Sequence, residues 1–274
     1  MCNPDVLLST DASGFGWGAV FNERKTHGFW SEKEKQFSIN VLELKAVLFG
    51  LMSLIDRRDC HIKVLTDNMT AVFSINKMGT SHSFDCNKVV HEIWEWAIER
   101  NNWITACHIP GIENKEADAE SRIHQFTTEW KLNPKVFKFI QNFLGIRPKI
   151  DLFASRLNYH LKPFVSLWPD PEALSVDSFT LDWGNMEFYA FPPFSMIPRV
   201  LNKIFTDKAT GLLVVPDWPY SCWYPQFMRM QLFDSVIIPP SRQLLLLTNK
   251  PDALHPLWKS LRLRAGIISG RKNT

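Results

Sequence analysis

Cysteine is scarce in this sequence and poorly placed for pairing. The five present, Cys2, Cys60, Cys86, Cys107 and Cys222, are odd in number, widely spaced and free of any CxxC pair. That excludes a disulfide framework and a zinc knuckle and favours a reducing compartment. Long apolar runs are also missing: none approaches the roughly 20 residues of a membrane-spanning helix. Met1 is followed by CNPDV rather than by a basic and then apolar leader. The expectation is a soluble, intracellular chain, cytoplasmic or nuclear, with no membrane partner. A surplus of one charge is lacking too, since 31 Lys+Arg face 28 Asp+Glu, so bulk charge does not announce a nucleic-acid binder. Stiff and bulky residues are what the chain has in quantity, 17 Pro, 11 Trp and 20 Phe, and most of them fall after residue 125. With 45% AVILMFWYC and 22% charged residues in 274, the balance fits packed structure and excludes disorder or a collagenous fibre. The length suits two domains better than one.

The near-neutral total hides two unlike parts. Residues 1–130 hold 13 Lys+Arg and 18 Asp+Glu, a net −5, whereas residues 131–274 hold 18 and 10, a net +8. In the acidic part, residues 6–9 followed by Asp11, then 16–21 and 27–30, read as three short strands joined by tight turns. A 3.6-residue apolar period through Val41, Leu44, Val47, Leu48, Leu51 and Leu54 predicts a helix after the cap candidates Ser38 and Asn40. Residues 61–66 read as a fourth strand, 69–76 and 87–100 as helices, 103–109 as a fifth strand and 113–122 as a last helix. The expected fold class is α/β, a mixed five-stranded sheet covered by helices.

Four acids fall where such a sheet would gather them. Asp11 ends the first strand, Asp67 ends the fourth, Glu43 lies in the first turn of the first long helix and Asp118 lies in the last. Carboxylates brought to one sheet edge repel one another unless divalent cations neutralise them, and Mg²⁺ suits an all-oxygen donor set. Two ions, Mg²⁺ or alternatively Mn²⁺, roughly 4 Å apart would activate a water and stabilise the leaving oxygen of a phosphodiester displacement.

These residues carry a resemblance. LLSTDASGFGWGAVF, NVLELKAV, VLTDN and HIPGIENKEADAESR, in that order, resemble the ribonuclease H domain of retroelement reverse transcriptases, particularly of gypsy and DIRS-type retrotransposons. The resemblance implies that Asp11, Glu43, Asp67 and Asp118 are the catalytic and metal-binding acids and that His108, in H-x-P-G, is the mobile histidine. It implies endonucleolytic cleavage of the RNA strand of an RNA–DNA hybrid, leaving a 3′-hydroxyl and a 5′-phosphate. Ser13, Asn68 and Asn114 are the expected nucleic-acid contacts, since 2′-hydroxyls in the minor groove mark the RNA strand. The segment between the second and third helices, KMGTSHSFDCNK, is too short and too weakly charged for the basic protrusion that cellular ribonucleases H carry there. Grip on the substrate is therefore expected from elsewhere, with the basic second half as a source.

In that second half, residues 134–144 read as an amphipathic helix. Residues 149–154, 164–167, 187–191 and 211–215 read as strands, and 195–205 as a helix between the last two. Strand, helix and strand at this spacing predict parallel crossovers, so a second, Rossmann-like α/β domain. Residues 150–204, followed by LLVVPDWPYSCWYP, resemble small phage-type adenine-N6 DNA methyltransferases. In that family a D/N-P-P-Y/F/W loop holds the target amine and stacks the flipped base. Here the loop is Phe191-Pro192-Pro193-Phe194, and Phe191 has no oxygen to accept the bond from an amine. Asp151, in DLFAS, lacks the glycine-rich turn that lets a backbone approach S-adenosylmethionine. A degenerate methyltransferase-like domain follows, with S-adenosylmethionine not expected as a cofactor.

The expected organisation is a ribonuclease H-like domain over 1–125, a helical linker over 126–148, a methyltransferase-like domain over 149–250 and a basic tail over 251–274, in which Lys259, Arg262, Arg264, Arg271 and Lys272 are candidate phosphate contacts. With no YxDD motif, no polymerase palm is expected, and the polymerase part of a reverse transcriptase is the expected partner besides the hybrid. The alternatives are a non-catalytic nucleic-acid-binding or domesticated retroelement protein, and an adenine methyltransferase activity in the second domain.

Overall fold

The computed structural model describes residues 3–80, 82–123 and 130–271. The chain splits into two compact units, Met1–His124 with Trp168–Glu172, and Gln125–Leu167 with Ala173–Thr274.

The first unit is built on strands β1 (Val6–Ala12), β2 (Gly16–Phe21), β3 (Arg24–Phe29), β4 (His61–Thr66) and β5 (Trp103–His108), with helices α1 (Ile39–Leu54), α2 (Met69–Asn76), α3 (Phe84–Ile98) and α4 (Lys115–Ser121). The sheet order is β3-β2-β1-β4-β5. β1, β2 and β3 form an antiparallel meander, and β1, β4 and β5 run parallel. This is the mixed five-stranded sheet expected of a ribonuclease H-like fold. β3 starts three residues earlier than the apolar pattern predicts. Asn22 takes a positive φ of 54°, which makes Asn22-Glu23 a two-residue hairpin turn and pairs Phe21 with Arg24. α3 likewise starts early, because the Ser83 hydroxyl caps it by accepting from the Cys86 amide. α1 is buried on most sides rather than along one stripe, with twelve of its sixteen residues inside. It packs with Trp17, Trp30, Leu8 and Val64 in one core, where each large apolar side chain contributes roughly 1.5–3 kcal/mol of burial.

The second unit contains β6 (Trp130–Leu132), α5 (Pro134–Leu144), β7 (Ile150–Asp151), β8 (Val165–Ser166), β9 (Ser175–Val176), β10 (Phe188–Ala190), α6 (Ile197–Thr206), β11 (Thr210–Pro216), α7 (Tyr224–Arg229), β12 (Val236–Ile238), β13 (Leu245–Leu247) and β14 (Leu263–Ser269). Its main sheet has the order β12-β14-β11-β10-β7. β7, β10 and β11 are parallel, as the crossover argument predicts, and β14 runs antiparallel to both β11 and β12. Alternate residues of β11 enter different cores, Leu213 and Val215 with α6 and α7, Leu212 and Val214 with α5, as the two-residue period of a strand requires.

Two expectations are corrected here, and the strand expected over 164–167 is present as β8. The stretch assigned to a linker is structural, since β6 pairs with β13 and α5 buries Phe137 and Ile140. β8 pairs with β9 in a sheet of its own. The basic tail is largely not a tail: β14 occupies a central position in the sheet, and Arg264 within it donates to Asp217 Oδ1 and Ser235 Oγ. Arg271 donates to the Lys208 carbonyl, and Lys272 lies outside the described residues.

Candidate active site

Parallel strands deliver their carboxyl ends to one edge of a sheet, where open α/β sheets bind ligands. Asp11 stands at that end of β1 and Asp67 directly follows β4. Glu43 comes from the first turns of α1, the helix packed across the same strands. Asp11, Glu43 and Asp67 each offer a carboxylate oxygen within 4.8 Å of the others. Among the described residues, no other group of three or more such side chains is brought together.

Two of the three are costly to ionise in place. Asp11 is raised above the ordinary carboxylate range chiefly by burial, opposed by a hydrogen bond from Ser121, then raised by the charges of Asp67 and Asp118 and lowered by Arg122. Glu43 is pushed up to about 8, first by burial and then by Asp11 and Asp67, against hydrogen bonds from the Ala12 amide and the Thr66 hydroxyl. Its Oε2 is buried and has no hydrogen-bond partner. A buried, unpartnered carboxylate oxygen beside two further acids suits a hard divalent cation, which takes oxygen ligands and cancels the repulsion. The residues present therefore fit Mg²⁺ or Mn²⁺.

α4 completes the edge. A Cβ at Gly18 would run into the Ala117 carbonyl and the Ser121 amide, so only glycine lets this helix lie directly on β2. Asn114, 3% exposed, pins the helix start to β1 by donating from Nδ2 to the Thr10 carbonyl at 2.9 Å. Asp118 is not in the trio. Its Oδ1 accepts from Arg122 Nε at 2.6 Å. Ser121 Oγ donates to Asp11 Oδ2, also at 2.6 Å. Neither Ser121 nor Arg122 is singled out by sequence reasoning, although both close the motif ADAESR; their signal is a polar side chain three and four positions after an acid on one helical face.

His108 is exposed at the end of β5, paired in register with Thr66 next to Asp67. The following loop passes close to Asp67, since a Cβ at Gly111 would lie 2.9 Å from Asp67 Oδ2. The three expected nucleic-acid contacts have other employment. Ser13 Oγ donates to the Ser121 carbonyl and accepts from the Phe15 and Gly16 amides, closing the β1–β2 turn. Asn68 caps α2 through the Ala71 amide and donates to Asn40. Asn114 is buried, which corrects its assignment as a contact.

In the second unit, Asp151 is fully buried, and its oxygens accept from the amides of Phe153 and His160. It closes its own loop. Pro192 is buried and Pro193 is half-buried; Phe191 meets Phe194 at 6.2 Å, and Phe194 meets Trp218 at 5.4 Å.

Residues 3–124 match a protein family described as reverse transcriptase-like. No curated protein matches the chain. Solved structures similar to it include RNase H1 from the halophilic archaeon Halobacterium salinarum, 17% identical over 42% of this chain and 92% of that one, with a TM-score of 0.36. LC11-RNase H1 in complex with an RNA/DNA hybrid is 20% identical over 42% and 93%, with a TM-score of 0.35. The N-terminal RNase H domain of a Mycobacterium tuberculosis protein is 18% identical over 43% and 91%, with a TM-score of 0.36.

Proposed function

We propose that the first unit is a metal-dependent ribonuclease H that cleaves the RNA strand of RNA–DNA hybrids, as part of a retrotransposon reverse transcriptase. The observation that carries this reading is the convergence of Asp11, Glu43 and Asp67, with Glu43 Oε2 buried and unpartnered. Asp11, Glu43 and Asp67 would hold the divalent ion, with Asp118 available once it leaves Arg122. Such an ion supplies a water of lowered pKa and charge stabilisation for phosphodiester hydrolysis. Ser121 fixes the second oxygen of Asp11 and favours its ionised form against the effect of burial. His108, exposed at the end of β5, would be the group that passes a proton to or from the leaving oxygen.

A labelled RNA–DNA hybrid with Mg²⁺ or Mn²⁺ tests the reading. Cleavage by wild type and none by Asp67→Asn is expected, and no cleavage at high wild-type concentration sinks it. The rival, a non-catalytic nucleic-acid-binding protein derived from a retroelement, draws its support from Arg122, which already neutralises Asp118. For the second unit we favour a degenerate methyltransferase-like domain, because Phe191 offers no acceptor and the Asp151 carboxylate is used by its own loop. Calorimetric binding of S-adenosylmethionine would overturn that assignment.

A further inference from the structure

The second unit carries an exposed face that hydrolysis does not use. After β11 the chain turns outward through Asp217, Trp218, Pro219 and Tyr220, leaving Trp218 37% and Tyr220 104% exposed. Contiguous exposed apolar surface is where proteins and ligands are bound. It continues away from the turn: Trp218 meets Phe194 edge-on at 5.4 Å, Phe194 lies 6.5 Å from His255, and the Trp258 amide donates to the His255 carbonyl. Cations follow the same line. Arg242 and Lys259 lie over the Trp258 ring at 4.9 and 5.4 Å. Arg262, 54% exposed, reaches Asp217 at 3.5 Å, beside Trp218. Asp217 itself is already held by the Tyr224 hydroxyl and Arg264.

We propose that this face, Trp218, Tyr220 and Trp258 with Arg242, Lys259 and Arg262, binds single-stranded nucleic acid. Rings that stack successive bases and cations that track the phosphates are the two components of sequence-tolerant single-strand binding. The charge is complementary, since residues 131–274 hold 18 Lys+Arg against 10 Asp+Glu. A purely apolar protein partner would have no use for the two cations over Trp258 or for exposed Arg262 beside the turn. The proposal does not depend on the hydrolase reading.

Fluorescence anisotropy of the full chain with a labelled single-stranded DNA of about 20 nucleotides tests it. EDTA in the buffer keeps the acidic site out of the measurement. Wild type is expected to bind. The double variant Trp218→Ala/Tyr220→Ala should bind at least about tenfold more weakly, as does loss of stacking elsewhere. Arg242→Gln/Lys259→Gln should reduce the slope of log K against log salt by roughly 1.4, since each phosphate contact contributes about 0.7. Tyr220→Ala, at a fully exposed position, keeps the test valid if the double variant misfolds. Phe84→Ala, exposed on the first unit, should change nothing. Absence of wild-type binding at tens of micromolar, or equal binding by all variants, overturns the proposal. So does sedimentation showing that Trp218→Ala/Tyr220→Ala only dissociates an oligomer, which would make the face a protein interface.

Discussion

Ser121 and Arg122, neighbours in one helical turn, act on different carboxylates with opposite consequences for a cation. Ser121 donates to Asp11 and favours its ionised form. Ser121→Ala should therefore shift the acid limb of the cleavage pH profile upward by about one to two units, a hydrogen bond to a charged group being worth about 1.5–3 kcal/mol. Arg122 holds Asp118 by an ion pair whose partners are 65% and 40% exposed. Pairs of that kind are worth at most about 1 kcal/mol. Arg122→Gln is thus expected to lower the Mg²⁺ concentration for half-maximal cleavage about two- to fivefold, read from an Mg²⁺ titration of the rate. Glu43 gives a prediction independent of activity. Without divalent ions its folded-state pKa of about 8 lies above its ordinary 4.5, so the unfolded chain releases the proton first as pH rises. The contribution of Glu43 to stability is then lost between about pH 4.5 and about pH 8. Thermal unfolding in EDTA should show Glu43→Gln more stable than wild type at pH 8, by on the order of 2–4 kcal/mol, and nearly equal at pH 4.5. The convergence of Asp11, Glu43 and Asp67 was readable from strand ends and motif order, whereas that of Asp118 was not met. The tuning of the acids was not readable, because a hydroxyl reaching across 110 positions to Asp11 leaves no local periodicity.

The elements divide by how they are specified. α5 was legible to its ends because its signals are local: Asn133 caps it by accepting from the Lys135 amide, Pro134 opens it and Gly145 ends it in the left-handed region. β6, β12, β13 and β14 were not read as strands. Their pairing partners lie far away in sequence, and Arg264 in β14 reads as part of a solvated charge run because its partners, Asp217 and Ser235, are also distant. The expected strand over 149–154 shrinks to Ile150–Asp151 because Asp151 recruits the amides of Phe153 and His160 and turns the chain. α4 gives the sharpest test of element packing. Gly18→Val places carbon atoms where the Ala117 carbonyl and Ser121 amide stand, so α4 must lift from β2. A loss of about 3 kcal/mol or more in denaturant unfolding is expected, with cleavage lost because Ser121 and Asp118 move with the helix.

For the molecule as a whole, the chain falls into two units with separate cores. The assigned boundaries changed because structure extends further into both flanks of the second unit than composition suggested. Ending the chain after residue 262 separates the two views. A dispensable tail would leave thermal unfolding unchanged, whereas removal of β14 breaks its pairing with both β11 and β12 and should abolish the second unit's cooperative transition, followed by near-UV circular dichroism.

The position of β14 also orders events during synthesis. β11 and its partner are separated by some fifty residues, Thr210 pairing with Ser269 and Pro216 with Leu263. The second sheet therefore cannot close until the ribosome has translated past residue 269 and released that segment from its tunnel. The sheet of the first unit needs nothing beyond β5 and can form while the rest of the chain is still being made. A nascent chain stalled short of β14 would present an open, apolar β11 edge, the kind of surface that chaperones hold and that aggregates when they do not.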